Sequence, residues 1–490
     1  MKALADKGSG GSDRWDAAAE RLRTVAREAV RACHAGDAVQ RFCRIERGRL
    51  VVGDRALSLR GRGRLVLIAF GKAAAEMSDG IMKTMGEAAV DRPLRTMVIA
   101  PRAAEREPAR GSVPEWWNKS RLTGGHPLPS PGSYRAGRET LRLASGLRAN
   151  DDVIFLASGG GSALMAAPLA PFLGNREKTE LHRFLVVSGA PIGSINTVRR
   201  HLSAVKGGRL AAAARRAKTQ TTLVLCDVDP ERFDEVASGP SLPDPTTLDD
   251  MIAVIDRHGL PALLPPGVLQ GLRDGSLPET PKRGDAIFRR SSAHLILSNQ
   301  DLRDAAVRQG LAQGLPTEAM PRDLTGPVEQ GVEIVARAIE AAPPGTRLLV
   351  MGGELVTSPA GAGRGGRAQE TALRLALRME RVSLRPWAFL AIGSDGVDGN
   401  SPAAGGLVDW TTLERARRAR LDPSAALEAA DSHRLLDRLR DTIVLPPTGT
   451  NVRDLYLLLT GGIAGARRRV RRAAEDRAPS SPGTESRRSR

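Results

Sequence analysis

Cysteine is scarce. Cys33, Cys43 and Cys226 are the only three in 490 residues, an odd number without CxxC spacing, which argues against a disulfide framework and a cysteine zinc site and fits a reducing cytoplasm. Aromatic residues make up 3% of the chain against 41% hydrophobic residues overall, so the cores must be filled by Leu, Val, Ile and Ala. That favours aliphatic helix-on-sheet packing over an aromatic-rich β fold. No uncharged apolar run reaches the ~18 residues of a membrane span, and the opening MKALADKGSGGSDRWD lacks the apolar stretch of a signal peptide. A soluble protein with no membrane partner is expected. Acidic residues are also in the minority, 55 against 73 Lys and Arg, for a net charge of +18. A balance this basic raises the question of nucleic acid. From Arg467 to Arg490, however, nine Arg stand against Glu475, Asp476 and Glu485 in a Ser/Pro/Gly-containing stretch that reads as a disordered basic tail over 466–490. The remaining excess is scattered along helical segments without the interleaved aromatics of a nucleic-acid platform, so a solvated surface is expected and no specific nucleic-acid partner. Removing the tail should change nonspecific polyanion binding and leave the folded domains intact, which a filter-binding and melting comparison checks.

At ~150 residues per domain the length implies two domains. After a flexible 1–14, Trp15 to Ala38 carries helical spacing with Asp13 as a cap. Leu65–Phe70, Thr96–Ala100, Asp152–Ala157 and Thr222–Cys226 read as buried strands alternating with amphipathic stretches, the pattern of a mainly parallel sheet covered by helices. The Pro/Gly-rich text over 266–290 marks the connection. A first domain over 15–265 and a second, smaller α/β domain over 291–465 follow. The second set of strands is expected at Leu295–Ser298, Arg347–Met351, Ala388–Ile392 and Tyr456–Leu459, and the helices at Asp301–Gly314, Gly326–Ala342 and Gln369–Val382.

Several stretches carry chemistry. Gly71 and Lys72 leave the Leu65–Phe70 strand toward a helix, where a cation at an anion-favouring turn is apt, although a lone Lys there is commonly a solvated cap and the text is no Walker A loop. Ser158, Gly159, Gly160, Gly161 and Ser162 follow the next strand; three consecutive Gly let backbone N–H groups converge on a phosphate or carboxylate. The run GGGSALM lacks the G-x-G-x-x-G of a dinucleotide fold, and no G-x-S-x-G makes Ser162 a hydrolase nucleophile. Asn196, Arg199 and, less closely, Lys206 share a helical face suited to an anion; a basic solvated face is the competing reading, and His201 alone is more often structural. Asp227 and Asp229 end a strand at the edge where open α/β sheets hold ligands, a place for Mg²⁺ or merely for turn formers. In the second half, Arg364 and Arg367 sit on a Gly-rich loop suited to clamping a phosphoryl group, and Asp395 and Asp398 lie among four Gly.

Read in order, FGKAA, GGHPLP, SGGGSAL, INTVRRHLS-x-x-KGG, ASGP-x-x-PDPTT, GRGGR-x-QE, GSDG-x-DG and TGTNV, covering about Gly61 to Leu459, resemble the class II glycerate kinase family, also called the glycerate 2-kinase or MOFRL family. The resemblance implies a Rossmann-like larger domain, a smaller α/β domain with the active cleft between them, and transfer of phosphate from ATP, with Mg²⁺, to the 2-hydroxyl of D-glycerate. It implies that Lys72 and Arg367 compensate charge at the transferred phosphoryl group. Asp227, Asp395 and Asp398 are its candidates for the base, and Asp227 the candidate Mg²⁺ ligand. Binding of substrate or nucleotide falls to Ser158, Gly159, Gly160, Gly161, Ser162, Asn196, Arg199, Lys206 and Asp398. A homodimer is left open. The chain departs from the family pattern at Ser130, Ser194, Ala368, Pro402 and Arg453, where the pattern carries Asp, an acidic residue, Asn, Asp and Asn; shifted substrate choice or reduced activity is the implied consequence. The competing functions are a hydroxypyruvate reductase and a non-catalytic binder of phosphometabolites or nucleic acid.

Overall fold

The computed structural model describes residues 12–86, 91–101, 117–187, 190–259, 264–357, 361–380 and 386–461; the basic tail lies outside them. Two compact units emerge. One comprises Arg31–Leu302 with the segment Pro447–Arg453, the other the residues up to Val30, Arg303–Pro446 and those from Asp454 on.

The larger unit opens on a three-stranded antiparallel sheet, β1 Cys43–Glu46, β2 Arg49–Val52 and β3 Arg55–Ser58. Its main sheet consists of β4 Leu65–Phe70, β5 Leu94–Pro101, β6 Trp117–Gly124, β7 Asp152–Ala157, β8 Thr219–Leu225 and β9 Ser291–Leu297. The order is β6-β5-β4-β7-β8-β9 and every pairing is parallel. β4 and β7 occupy its centre and are buried at every position, which is why LVLIAF and DVIFLA read as continuous apolar runs instead of alternating ones. The core between sheet and helices is aliphatic, with Val66, Ile68, Met97, Ile99, Val153 and Val224 among its members. Chain order reverses between β4 and β7, so the crevice at their carboxyl ends is the natural ligand position of a doubly wound sheet.

The second unit holds a mixed sheet of seven strands, β10 Thr317–Ala319, β11 Leu324–Pro327, β12 Arg347–Val356, β13 Trp387–Gly393, β14 Gly405–Asp409, β15 Thr442–Ile443 and β16 Asp454–Thr460. β12 pairs parallel with β10 and β11, while β16 lies antiparallel between β12 and β13. β13 and β16 are wholly buried and share one core with the Val328–Glu340 and Arg367–Met379 helices. No helix of the described residues is long and apolar enough to cross a membrane.

Three expectations differ from what the chain does. The opening helix is two, Ser12–Ala32 and Ala35–Phe42, with His34 extended at φ −63°, ψ 129° between them. The break turns Gly36 onto the Ala74–Met85 helix, where a Cβ on Gly80 would stand 2.5 Å from the Gly36 carbonyl oxygen; the Asp13 side chain lies outside the described residues. The strand near Leu295, expected to open the second domain, pairs with β8 and completes the first sheet. The Pro/Gly-rich 266–290, expected to be the connection, contains the helix Pro266–Arg273 and stays in the larger unit, because Val268 and Leu277 are buried in that unit's satellite core.

Candidate active site

In the larger unit the carboxyl ends of β4 and β7 are zipped together. The Ser158 amide donates to the Phe70 carbonyl (3.0 Å), the Lys72 amide to the Gly159 carbonyl (2.8 Å), and the Ala73 amide to the Ser158 hydroxyl (3.1 Å). Gly71 has φ +123°, and a Cβ there would fall 2.2 Å from Ser158 Oγ, so only glycine permits this contact. Ser158 is completely buried. Its hydroxyl is spent on the Ala73 amide and its own amide on Phe70, where the motif led to an expectation of direct binding.

The three glycines of the loop have different reasons to be glycine. A Cβ on Gly159 would lie 1.8 Å from Asp227 Oδ2 and 3.2 Å from Asn451 Nδ2, so the missing side chain makes room for the Asp227 carboxylate. Gly160 takes φ +80°, with its Cα face 3.1–3.3 Å, by the same measure, from the His126 ring and Lys72 Cγ. Gly161 is buried, and its Cβ would meet Ala237 at 2.7 Å; it serves packing. The helix expected after the loop is a single turn, Gly161–Leu164, too short for its dipole to carry anion binding. Its carbonyl end is held by Lys206, whose ammonium donates to the Ser162 and Met165 oxygens at 2.7 and 3.1 Å. Ser162 Oγ meets Ser238 Oγ at 2.6 Å, and Ser238 donates to Asn196 Oδ1 at 3.2 Å. The structure thus brings Lys72, Gly159, Gly160, Ser162, Asn196 and Asp227 together around one strand-end crevice.

Asp229, the other carboxylate of that strand end, caps the turn after it by accepting from the Glu231 amide at 3.0 Å. His201 is fully buried between the Thr197 carbonyl and Glu279, the structural outcome. Ser130 accounts for one departure from the family pattern: it N-caps the Pro131–Ser145 helix in a reciprocal capping box with Ser133, a task Ser performs as well as Asp. Arg453 has φ +66°, a conformation Asn tolerates better than Arg, and its Nε donates to the Asp227 carbonyl at 3.2 Å.

Sequence reasoning did not single out Asn451, Lys178 or His182. Asn451 arrives with the TGTNV segment, whose Val452 carbonyl accepts from Asn299 Nδ2 at 2.6 Å; nothing in local sequence shows that residues 447–453 return to the larger unit. Lys178 and His182 lie one turn apart on the Asn175–Val187 helix, and the signal available was their i, i+4 spacing.

In the second unit Arg367 opens the Arg367–Met379 helix. Its Nε and Nη2 donate to both oxygens of Asp454 (2.6 and 2.9 Å), and its Nη1 pairs with Glu354 at 2.8 Å. Burial opposes the charge, but the fork onto Asp454 and the Glu354 carboxylate raise the Arg367 pKa above its usual range, so the guanidinium is fixed and ionised. Tyr456 donates its hydroxyl to Asp454 at 3.1 Å. Asp398, expected to bind substrate or nucleotide, is spent otherwise. It is 3% exposed and accepts from the Ala368 and Gln369 amides (3.0 and 2.9 Å) and from Gln369 Nε2 (2.9 Å), capping the Arg367 helix. Burial pushes its carboxyl up to about 6 against these bonds. Asp395 Oδ1 accepts from the Val397 amide at 3.2 Å. A cavity of about 430 Å³ is lined by Glu354, Arg367, Glu370, Asn400 and Ser432 with the Gly-rich turn.

An all-parallel doubly wound sheet with a glycine loop and a lysine at its chain reversal, carried with a second unit built round a clamped arginine, defines an α/β enzyme class that handles anions. Residues 21–273 match the Domain of unknown function (DUF4147), and residues 347–454 match the MOFRL family. The chain is 33% identical over 400 residues to a D-glycerate 2-kinase of Thermotoga maritima, covering 80% of this chain and 90% of that one. It is 35% identical over 411 residues to a putative hydroxypyruvate reductase of Agrobacterium vitis, covering 82% and 88%. The crystal structure of a glycerate kinase from Thermotoga maritima superposes with a TM-score of 0.74 at 29% identity, covering 91% of this chain and 100% of that one. The chain belongs to the MOFRL family of glycerate kinases.

Proposed function

We propose that this protein transfers the γ-phosphoryl group of ATP to the 2-hydroxyl of D-glycerate, giving 2-phosphoglycerate and ADP. The observation that carries the reading is the convergence of Lys72, the Gly159–Gly160 turn and Asp227 at the β4/β7 reversal, in a chain similar to glycerate kinases over most of its length. Phosphoryl transfer asks a protein mainly for positioning and for charge opposite the transferred group. Lys72, pinned through its own amide to Gly159, supplies one positive charge; Arg367, held in its fork by Asp454, supplies another. Asp227 is the stronger candidate for accepting the hydroxyl proton, Asp395 the weaker, and Asp398 is withdrawn from that role by its helix cap.

Among the described residues no group of three or more His, Cys, Asp or Glu could enclose a metal ion. Mg²⁺ commonly takes one or two carboxylates and completes its shell with water and phosphate oxygens, so Asp227 at a strand end fits that need as the alternative to accepting the proton, which would then fall to Asp395. When bound, the ion would neutralise phosphate charge.

A coupled assay for ADP release across D-glycerate, L-glycerate, lactate, glycolate and tartronate tests the reading, with ³¹P NMR locating the phosphate. Turnover with D-glycerate to the 2-phosphate is expected. Absence of ADP release with every acid, or oxidation of NADH on hydroxypyruvate, overturns it.

A further inference from the structure

Four basic side chains from the Asn175–Val187 and Ile192–His201 helices and the following turn close on one another inside the larger unit. Lys178, His182 and Lys206 are 7%, 7% and 2% exposed, and Arg199 is half-buried. Arg199 Nη2 lies 3.1 Å from His182 Nε2. The two ammonium groups reach only backbone oxygens, Lys178 that of Leu202 at 2.8 Å and Lys206 those of Ser162 and Met165. Arg199 Nε is buried without a hydrogen-bond partner. Among the described residues no carboxylate pairs with Lys178, Arg199 or Lys206, whereas their neighbours are compensated: Arg200 pairs with Asp244, and Arg209 feels Asp244 and Glu279.

Burying like charges together without a counter-ion is costly and persists where function requires it. The local charges respond accordingly. Burial, with repulsion from Arg199 and Arg209, pushes the Lys178 ammonium down to about 7. Burial and the three cations push His182 down to about 3, so its ring is neutral, donating to the Pro127 carbonyl and accepting from Arg199. Lys206 is lowered well below its ordinary range by burial and by Lys178 and Arg199. An anion among these groups would offset the like charges and give Arg199 Nε an acceptor.

We propose that Lys178, Arg199 and Lys206, with His182 orienting Arg199, form the socket for the carboxylate of the acceptor hydroxy acid. This rests on the kinase reading above. A carboxylate suits the socket better than the transferred phosphoryl group: the planar guanidinium matches it, and one negative charge can leave after turnover, whereas a dianion held by two buried ammonium groups and a half-buried guanidinium would be trapped. The socket adjoins the Ser162 end of the glycine loop through Lys206, so a carboxylate seated there directs the rest of a short acid toward Lys72 and Asp227.

Proton linkage follows with a definite sign. The anion favours protonated Lys178, so binding takes up a proton near pH 7. As pH rises above about 7, free enzyme loses that proton, and kcat/KM for glycerate should fall about tenfold per pH unit while KM for ATP stays flat. The groups facing Lys178 that set this are His182 on its own helix and Arg199, Lys206 and Arg209 on the packed elements.

The test compares wild type with Lys178→Met, Lys178→Arg and Arg199→Met in the full chain. Lys178→Met is expected to raise KM for glycerate by about 10- to 100-fold, the worth of one charge-assisted hydrogen bond, to change kcat and KM for ATP less than threefold, and to abolish the alkaline limb. Its Tm should hold or rise, because a repulsive buried charge is gone. Lys178→Arg should recover part of the KM without restoring the limb, since Arg does not titrate there. An unchanged KM for glycerate, or a loss falling on ATP instead, overturns the proposal, as does a lowered Tm accompanied by equal losses for both substrates. Calorimetric titration of D-glycerate, tartronate, glycerol and inorganic phosphate without nucleotide separates this from failure of the kinase reading. Carboxylate binding with proton uptake that disappears in Lys178→Met sustains the socket even if no ADP is released; phosphate binding without carboxylate binding overturns it.

Discussion

Lys72→Ala and Arg367→Ala are each expected to lower kcat for glycerate phosphorylation by about 10² or more, the scale of losing one preorganised charge donor. The two losses should differ in their accompaniment. Lys72 is half-buried, and its place is fixed by backbone bonds that Ala retains, so the first variant should melt like wild type. Arg367 is the partner of Asp454, which is 1% exposed; truncation leaves that carboxylate without its fork and should cost about 1–3 kcal/mol of stability. Arg367→Lys keeps a charge yet cannot make the bidentate contact, so it should recover stability in part and kcat little. Steady-state kinetics with melting curves read all three variants. Near-normal kcat in either single variant defeats the assignment.

Gly160→Val should be the more damaging change to the loop, for two separable reasons. The backbone at φ +80° is one a β-branched residue adopts at a cost of about 1–3 kcal/mol. The added Cβ alone stands 3.2 Å from Lys72 Cγ and 3.1 Å from the His126 ring, so the lysine must move. A fall in kcat of at least about tenfold is expected from misplacing one catalytic charge, together with a lower Tm. Gly160→Ala keeps the Cβ contacts and the backbone cost but adds no γ-methyls, so it should keep most of the Tm loss while recovering activity only in part. Equal kcat in the valine variant and wild type would show that the loop does not position Lys72.

Much of the larger unit was legible in its residues. LVLIAF and DVIFLA are uniformly apolar because a central parallel strand is covered on both faces, and that local cause acts on every residue of the run. β6, with the text WNKSRLTG, carries no such pattern and was not foreseen, nor were the short β10, β11, β14 and β15; β-structure there follows from pairing partners far off in the chain, not from propensity. The hairpins of Cys43–Ser58 carry mixed burial and polarity instead of an apolar run. The ordered motifs pointed to the family, and the glycine loop and Lys72 to the crevice.

By itself, then, the sequence determined the fold class, the two-part division in outline, and the residue types gathered for phosphate chemistry, because apolar period and glycine runs are local properties. Only the tertiary structure decided which of those residues are spent on the fold. Ser158 ties two strand ends, Gly161 packs on Ala237, Asp398 caps a helix and Asp229 a turn, each indistinguishable from a ligand-binding residue until its partner's position is known. The same holds for what the motifs omitted. Asn451 reaches Gly159 from almost 300 positions away, and Lys178 comes near Arg199 and Lys206 only because the fold brings their segments together. A hydrogen bond or a repulsion depends on distance in space, and distance in space is the quantity a linear text does not carry.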